Sequence, residues 1–296
     1  MYQQIDSNKR NTWILIGLFT GVLAAAGYVM GAVNGDWGGG LALALIISLG
    51  STFISWFAGD KIVLFTSGAK ELTDREQNRY IWNLVENLCI TAGLPRPRIY
   101  IVEDESPNAF ATGRDPEHAS IALTTGLIRI LENEELEGVI AHELSHVKNY
   151  DTRYMILVAV LVGTLTMVGD IFIHGGFRRR SDRDSGGGVF VIVGIVFLII
   201  SPLIGQLIKF AISRQREYLA DASGSLLTRY PEGLARALEK ISQHAQPMQK
   251  ASHATAHLWI SNPFGEKAGI TSKLSNLFST HPPAAERIAR LRGLAK

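Results

Sequence analysis

The sequence predicts a mainly α-helical protein with a small β-sheet, divided between the membrane and a water-exposed domain. Four long segments are almost free of charge, which predicts four transmembrane helices. The polar segments 60–153 and 211–296 carry helical and strand-like patterns, and we expect them to assemble into one domain. The chain thus divides into four parts, with two membrane helices in residues 1–59 and two more, with their connecting loop, in residues 154–210.

The composition restricts the class of protein. Of the 296 residues, 47% are hydrophobic and only 19% are charged, which is a low charge for a soluble protein. The net charge of +2, without a long basic run, gives no reason to expect a nucleic-acid partner. The single cysteine, Cys89, excludes an internal disulfide and a multi-cysteine zinc site, and we expect it to be a buried apolar side chain.

The four apolar segments have the length that a bilayer requires, about 20 residues each. They are Trp13–Val33, Gly40–Ala58, Met155–Ile173 and Val189–Phe210. Lys9 and Arg10 precede the first segment, as they do in a signal peptide. Its apolar run is longer than a signal peptide needs and a second segment follows at once, so we interpret it as an uncleaved anchor.

The first polar segment begins with a helix and continues with strands. Tyr80, Ile81, Leu84 and Leu88 recur at helical spacing, and Gly93 ends the pattern. The stretches "RPRIYIVED", "NAFATG" and "ASIALTTGLI" predict three short strands. A second helix, "LENEELEGVIAHELSHVKNYD", follows with Asn133 as its expected N-cap and acidic residues in its first turn.

This second helix carries the pattern that points to chemistry. His142 and His146 are four residues apart, so both imidazoles lie on one face and can point at one metal ion. Glu143 lies about a third of a turn away, where it suits a general base acting on water. The alternative is a charged stripe on an ordinary helix, although burying these groups without purpose would be costly.

A catalytic zinc site usually has a third protein ligand. The helix predicted at "SRQREYLADASG" places Glu217 and Asp221 at positions i and i+4. One acid can bind the metal while the other orients a histidine through its second ring nitrogen. The alternative is a surface helix whose acids are balanced by Arg214 and Arg216.

The remaining histidines offer weaker candidates. His253 and His257 also stand four residues apart, but neither has an acid beside it to act as a base. His281 precedes two prolines, where a capping turn is the alternative, and His118 and His174 stand in stretches that we expect to be loops.

Taken together, "HELSH", "REYLAD", "NAFATG" and "STHPPAAERI" resemble the HtpX-type membrane metalloproteases, which form one gluzincin family with the CaaX-prenyl proteases. The resemblance covers nearly the whole chain. It implies a zincin-type metalloprotease domain with one zinc ion per chain, bound by His142, His146 and Glu217, and with Glu143 as the base. Asp221 would hold the ring of a ligand histidine.

The resemblance also implies roles outside the ligand set. His281 would stabilise the oxyanion, and His257 and the "NPF" at Asn262–Phe264 also match the family's pattern. One strand would be the edge strand that pairs with extended substrate backbone, and it contains Asn108, Ala109 and Phe110.

The function implied is that of a membrane-embedded, zinc-dependent endopeptidase that forms no covalent intermediate. Its substrates would be misfolded or damaged membrane proteins and unfolded polypeptides, in proteolytic quality control and the stress response. It would be a multi-pass protein of a bacterial inner membrane, in contact with the lipid bilayer and with its active site facing the cytoplasm. The alternatives are a prenyl-protein protease, a non-proteolytic membrane scaffold, or a transporter that uses the intramembrane Asp170.

The basic residues of the sequence give conflicting indications of the membrane topology. Basic residues flank the apolar segments on the side of the metal motif, which favours a cytoplasmic site by the positive-inside rule. The loop Phe177–Asp184 opposes that rule, because it carries four arginines and would lie outside if the third and fourth segments both cross. We expect four full spans, and the alternative is a hydrophobic hairpin that enters from the cytoplasmic face.

Overall fold

The computed structural model describes residues 2–33, 35–178, 214–252, 254–265 and 282–294. Its strands are β1 (Ala69–Glu71), β2 (Arg98–Val102), β3 (Ala109–Thr112) and β4 (Ser120–Thr124). Its helices are α1 (Tyr2–Val33), α2 (Trp37–Thr66), α3 (Arg79–Ala92), α4 (Thr125–Ile130), α5 (Asn133–Lys148), α6 (Asp151–Arg178), α7 (Arg214–Thr228), α8 (Pro231–Gln243) and α9 (Ala284–Leu294).

The first two apolar segments form helices of membrane-spanning length. Among the described residues, two stretches are long and apolar enough to cross a membrane, Ile5–Ala32 within α1 and Trp37–Thr66, which is α2. Large apolar side chains remain outside the packed interior, such as Ile46 at 68% and Phe53 at 65% exposure. Such a surface is unfavourable in water but suits lipid, so these two helices have the properties of membrane spans.

The third apolar segment lies within the described residues, and the fourth does not. Met155–Ile173 lies within α6, whose first half packs against α1 through Leu157 and Leu161, which contact Leu15 and Phe19. The fourth segment, 189–210, lies outside the described residues. Four membrane spans therefore remain a prediction beyond the first two.

The sheet has the strand order β1-β2-β4-β3. β2 and β4 are parallel, while β1 and β3 pair antiparallel at the two edges. The three predicted strands are confirmed as β2, β3 and β4. β1 was not predicted, because its three residues, "AKE", show no hydrophobic alternation and are held in place by pairing with β2.

One hydrophobic core joins the two polar segments. It contains Leu136, Ile140 and Leu144 of α5 together with Leu234 and Leu238 of α8. Cys89 belongs to the same core, and burial raises the pKa of its thiol to about 12. This shared core supports the predicted assembly of one domain from both segments, while the four-part division of the chain remains a prediction.

The ends of α3 and α5 are set by local side chains. The predicted stop of α3 is confirmed, since Gly93 caps it in the left-handed conformation with φ 65°. The N-cap expected at Asn133 is wrong, because α5 starts one residue earlier with Glu132 as its N-cap. The Glu135 carboxylate accepts from the Glu132 backbone N–H at 2.8 Å, and Asn133 instead accepts a hydrogen bond from the Tyr80 hydroxyl.

Candidate metal centre

The histidine motif lies in the middle of α5, on a part of the helix that is closed to solvent. His142 is 0%, Glu143 2% and His146 4% exposed. Every residue from Val139 to Val147 is buried, because α5 packs against α3, α7, α8 and β3. The helix thus carries three ionisable groups into the interior, where they need compensating partners.

Glu217 of α7 completes a group of three converging side chains. The Nε2 atoms of His142 and His146 are 3.1 Å apart, and His146 Nε2 lies 3.5 Å from Glu217 Oε1. His142 Nε2 lies 3.7 Å from Glu217 Oε2. α7 reaches this close because Gly224 faces α5, where a Cβ would stand 3.0 Å from the His142 backbone nitrogen.

These three donors fit a small divalent metal ion. A tetrahedral ion with bonds of about 2.0–2.1 Å holds its ligand atoms roughly 3.3 Å apart, close to the separations of 3.1, 3.5 and 3.7 Å. In the described part of the chain, this is the one group of three or more histidine, cysteine or acidic side chains that can hold a metal. Glu217 is 3% exposed, and a cation at this position stabilises its buried carboxylate.

The second nitrogen of His146 is held by Asp151. Asp151 Oδ2 lies 3.0 Å from His146 Nδ1, and its other oxygen accepts from Asn8 Nδ2 at 2.6 Å. A two-residue turn separates α5 from α6, with Tyr150 in the left-handed region at φ 61°. That turn brings Asp151, the first residue of α6, back onto the ring five positions before it. The motif helix therefore ends at Lys148, earlier than the predicted end at Asp151.

The second nitrogen of His142 is held by Asp221, and Asp221 is held in turn by Arg287. Asp221 Oδ1 lies 3.0 Å from His142 Nδ1. Arg287 of α9 donates from Nε and Nη2 to the two oxygens of Asp221 at 2.9 and 2.6 Å. Arg287 is 1% exposed, and its Nη1 also lies 3.7 Å from Glu217 Oε2. Carboxylates thus orient both imidazoles, as is usual around protein metal sites.

The electrostatics of the cluster favour a positive charge between these groups. Burial disfavours an imidazolium, but the hydrogen bond with Asp151 and the charges of Glu217 and Glu143 raise the pKa of His146 to about 9. Burial would also raise the pKa of Asp221, yet Arg287 and the hydrogen bond with His142 lower it to about 2. The anionic surroundings that stabilise a proton on His146 equally stabilise a metal cation.

Glu143 lies beside this group without being part of it. Its carboxylate is close enough to His146 and Arg287 for its charge to raise the pKa of both. It is one residue along the helix from His142 and is 2% exposed. A buried carboxylate beside three possible metal ligands can exchange protons there.

The strand expected to bind substrate, β3, lies at an edge of the sheet, but its first half is covered by the chain itself. Ile260 N donates to Ala109 O at 2.9 Å, and Asn108 exchanges hydrogen bonds with the backbone of Ser261 at 2.9 and 3.0 Å. Phe110 packs edge-on against Trp259, with ring centroids 4.6 Å apart. Asn108 and Phe110 thus hold this segment against the strand.

Among the described residues, the other candidate histidines lie outside the cluster of His142, His146 and Glu217. His253 and His281 lie outside the described residues. His257 is buried, and its Nε2 lies 3.0 Å from the Met155 carbonyl oxygen. His118 is exposed beside Asp115, at 2.6 Å, and His174 lies within α6, where the sequence predicted a loop.

Sequence reasoning missed three residues of the site. Asp151 directly follows the motif, and a search for a carboxylate that reaches a histidine across a helix end would have found it. Arg287 lies within "HPPAAERI", which carries no spacing signal that connects it to Asp221. Asn8 precedes the first apolar segment, and only the packing of α1 against α6 shows its contact with Asp151.

A buried pair of helical histidines, an acid from a following helix, and two apolar helices of membrane-spanning length are the features of a membrane metalloprotease. The sequence pattern of Peptidase family M48 matches residues 75–295. The chain therefore belongs to peptidase family M48, and the resemblance seen in its motifs is confirmed. It is a membrane-bound metal-dependent endopeptidase, which hydrolyses peptide bonds.

Relatives of nearly the same length share much of the sequence. The chain is 45% identical to a "Protease HtpX homolog" of Dictyoglomus turgidum, over 98% of this chain and 94% of that protein. It is 44% identical to a protein of the same description from Caldanaerobacter subterraneus subsp. tengcongensis, over 99% and 98% of the two chains. The crystal structure of S. mikatae Ste24p aligns with a TM-score of 0.49 and 20% identity, over 94% of this chain and 62% of that one.

Proposed function

We propose that His142, His146 and Glu217 bind one zinc ion per chain, and that Glu143 is the general base. The observation that carries this proposal is the convergence of two imidazole nitrogens and one carboxylate within 3.1 to 3.7 Å of one another. Two imidazoles and one carboxylate are a common ligand set of catalytic zinc, and they leave a fourth position for water. Asp221 and Asp151 orient the two imidazoles.

Zinc in such a site acts as a Lewis acid toward a carbonyl and lowers the pKa of water. Glu143 accepts a proton from the attacking water and returns it to the amine that leaves when the peptide bond breaks. Arg287 keeps Asp221 ionised, so that His142 keeps its Nδ1 proton and presents Nε2 to the metal. The chain forms no covalent intermediate in this scheme.

The proposed substrates are extended polypeptides that pair with the edge of β3. The carbonyl oxygen of Ala109 points away from β4 and accepts a hydrogen bond from the backbone N–H of Ile260. Because antiparallel strands alternate the direction of their backbone groups, those of Ala111 point to the same side. A substrate strand would therefore pair beside Ala111, next to the half of the edge that Ile260 and Ser261 cover, once the cover over Ala111, which is 3% exposed, has moved. Contacts between α5 and β3 support a short path from this edge to the metal.

We further propose that the enzyme acts at the cytoplasmic face of a bacterial inner membrane on misfolded or damaged membrane proteins. Lys9 and Arg10 precede the first span on the side of the site, which supports a cytoplasmic orientation. Asn8 near the start of α1 and Asp151 at the start of α6 both support the metal centre. A centre held at the ends of membrane helices favours substrates that are in or on the membrane.

The proposal is tested with Glu143→Gln in the full-length protein. We expect cleavage of an unfolded protein such as casein to fall roughly 10²–10⁴-fold, because an amide cannot move the proton. Bound zinc, measured by elemental analysis, should remain near one ion per chain. The matched control is Glu137→Gln, which changes a partly exposed carboxylate of the same helix and should leave the rate unchanged. Cleavage by Glu143→Gln at the wild-type rate would show that another group is the base.

A further inference from the structure

A basic cavity lies where the membrane helices meet the soluble domain. Its volume is about 330 Å³, and it is lined by the C-terminal half of α2, the start of α6 and loops around the sheet. Five cationic side chains face it, against the two carboxylates of Asp60 and Glu117; the cations are Lys61, Arg96, Arg98, Arg114 and Arg153. The cavity is separate from the metal centre and carries a net positive charge.

Part of this positive charge is not neutralised within the cavity. Arg98 is paired with Asp60 at 3.0 Å, and Arg114 Nε lies 3.5 Å from Asp115. Arg153 Nε is buried and, within the described ranges, has no hydrogen-bond partner. The Arg153 guanidinium lies over the Trp56 ring, 3.9 Å from its centroid, so the ring fixes it beside the cavity. These donors fit an anionic group, and a phosphate accepts several such bonds at once.

Aromatic pairs indicate the depth of this cavity relative to the bilayer. The rings of Trp13 and Trp56 have centroids 6.2 Å apart at one level of the α1–α2 pair, and those of Tyr28 and Trp37 have centroids 6.1 Å apart at a second level, near the turn that joins the two helices. At about 1.5 Å per residue, the two levels are separated by roughly 22 Å along α1 and 28 Å along α2. That is close to the thickness of the hydrocarbon core, and tryptophan and tyrosine favour its two interfaces. Trp56 lines the cavity, which therefore lies at the level of the lipid headgroups.

The cavity is also continuous with a lipid-facing surface. Phe57 lines it and is 52% exposed, and Phe53, one turn toward the bilayer centre, is 65% exposed. Ile54 beside them is 48% exposed. A ligand that enters from this side meets apolar surface along α2 and a cluster of cations at its end. That combination fits an amphiphile with an anionic head.

We propose that this cavity binds the headgroup of an anionic phospholipid, with the phosphate beside Lys61, Arg114 and Arg153 and the acyl chains along Phe53 and Phe57. The site adjoins the metal centre through two connections. Arg153 stands two residues after Asp151, which contacts His146. Thr12, which also lines the cavity, donates to the carbonyl of Asn8, the residue that holds Asp151.

The test is native mass spectrometry of the full-length chain released from nanodiscs that contain equal amounts of phosphatidylglycerol and phosphatidylcholine. We expect the wild type to retain phosphatidylglycerol preferentially. Lys61→Gln/Arg153→Gln should lower that retention about tenfold. The control Lys70→Gln/Arg129→Gln also removes two positive charges, but from exposed ion pairs outside the cavity, and should retain the lipid within about twofold of wild type.

A second variant separates lipid binding from folding. Lys61→Gln/Arg114→Gln removes two charges without changing the stacked Arg153 and should give the same loss, with an unchanged circular dichroism spectrum. Equal retention by the cavity and control variants would overturn the proposal, as would equal retention of the two lipids by the wild type. Displacement of the lipid by millimolar inorganic phosphate or glycerol phosphate would also overturn it, because the site would then recognise a soluble anion.

Discussion

At the scale of single residues, the centre depends on how each imidazole is held. In the proposed centre, His142 and His146 turn Nε2 toward the metal, and their Nδ1 atoms lie 3.0 Å from carboxylate oxygens of Asp221 and Asp151, respectively. A carboxylate at this place fixes the tautomer and the orientation of the ring. The two supports come from different helices, α7 and α6, so the metal position depends on tertiary packing as well as on the motif.

These supports lead to a prediction about metal affinity. Asp151→Asn and Asp221→Asn should each weaken zinc binding by roughly 10–100-fold, and Glu217→Ala, which removes a proposed ligand, should weaken it more. Affinity is measured by competition with a chromophoric chelator. The control is Asp115→Asn, whose carboxylate contacts the exposed His118 and should not affect the metal. Unchanged affinity in Asp151→Asn would mean that its contact does not orient His146.

Arg287 leads to a second prediction, on stability. Arg287→Ala removes the two hydrogen bonds that Asp221 accepts and leaves a buried carboxylate beside Glu217. We expect a loss of about 3–5 kcal/mol in the free energy of unfolding, and Arg287→Ala/Asp221→Asn should recover part of it. Thermal unfolding in detergent measures the loss. Arg290→Ala, on the exposed side of the same helix, is the control and should change little. Equal losses of stability in Arg287→Ala and Arg290→Ala would show that the buried contact between Arg287 and Asp221 does not stabilise the fold.

At the scale of elements, α5 is held by the close approach of its neighbours. Gly138 faces α8, where a Cβ would lie 2.7 Å from the backbone nitrogen of Leu234. No L side chain fits at that distance unless a helix moves. Gly224 has the same role on α7, toward His142. These two glycines set the spacing between the helix that carries the histidines and the helices packed on it.

The third prediction follows from this spacing. Gly138→Ala adds a helix-favouring residue, worth up to about 1 kcal/mol, but forces α5 and α8 apart. We expect a net destabilisation of about 1–3 kcal/mol, with a lower unfolding temperature and weaker zinc binding. Gly293→Ala on α9 is the matched control, since its new Cβ meets nothing within 4 Å. It should leave stability unchanged or slightly increase it. A stabilised Gly138→Ala protein would show that this helix contact is adaptable.

At the scale of the whole molecule, the metal centre and the membrane helices form one packed unit. Asn8, near the start of α1, is 2% exposed and donates to both Asp151 and the Asn149 carbonyl. Loss of the first apolar segment would therefore remove a support of the site as well as an anchor.

The number of membrane crossings gives the last prediction. In a Cys89→Ser background, single cysteines are placed at Ser181 and at the exposed Ser242. With four full spans, an impermeant thiol reagent added to intact cells should label position 181 and spare position 242. Labelling of both positions only after lysis would show that the third and fourth segments enter and leave on the same face. The lysed sample is the control that both cysteines can react.

The sequence by itself determined the features that repeat at short range. Helical spacing placed His142 and His146 on one face, the apolar runs predicted α1 and α2, and Gly93 predicted the end of α3. Periodicity and side-chain chemistry act over a few residues, so they can be read without a fold. The local details that failed were those with several solutions of similar free energy, such as the choice between Glu132 and Asn133 as the cap of α5.

Only the tertiary structure decided which distant groups meet. Asp221 and Arg287 are 66 positions apart, and Asn8 and Asp151 are 143 apart. The tertiary structure also covers half of the β3 edge with Ile260 and Ser261, which the strand pattern does not indicate. The physical reason is that a buried charge must find its partner in three dimensions, and the partner can come from any part of the chain. The motif thus indicated a metal site, and the packing of α1, α6, α7 and α9 determined how its proposed ligands are held.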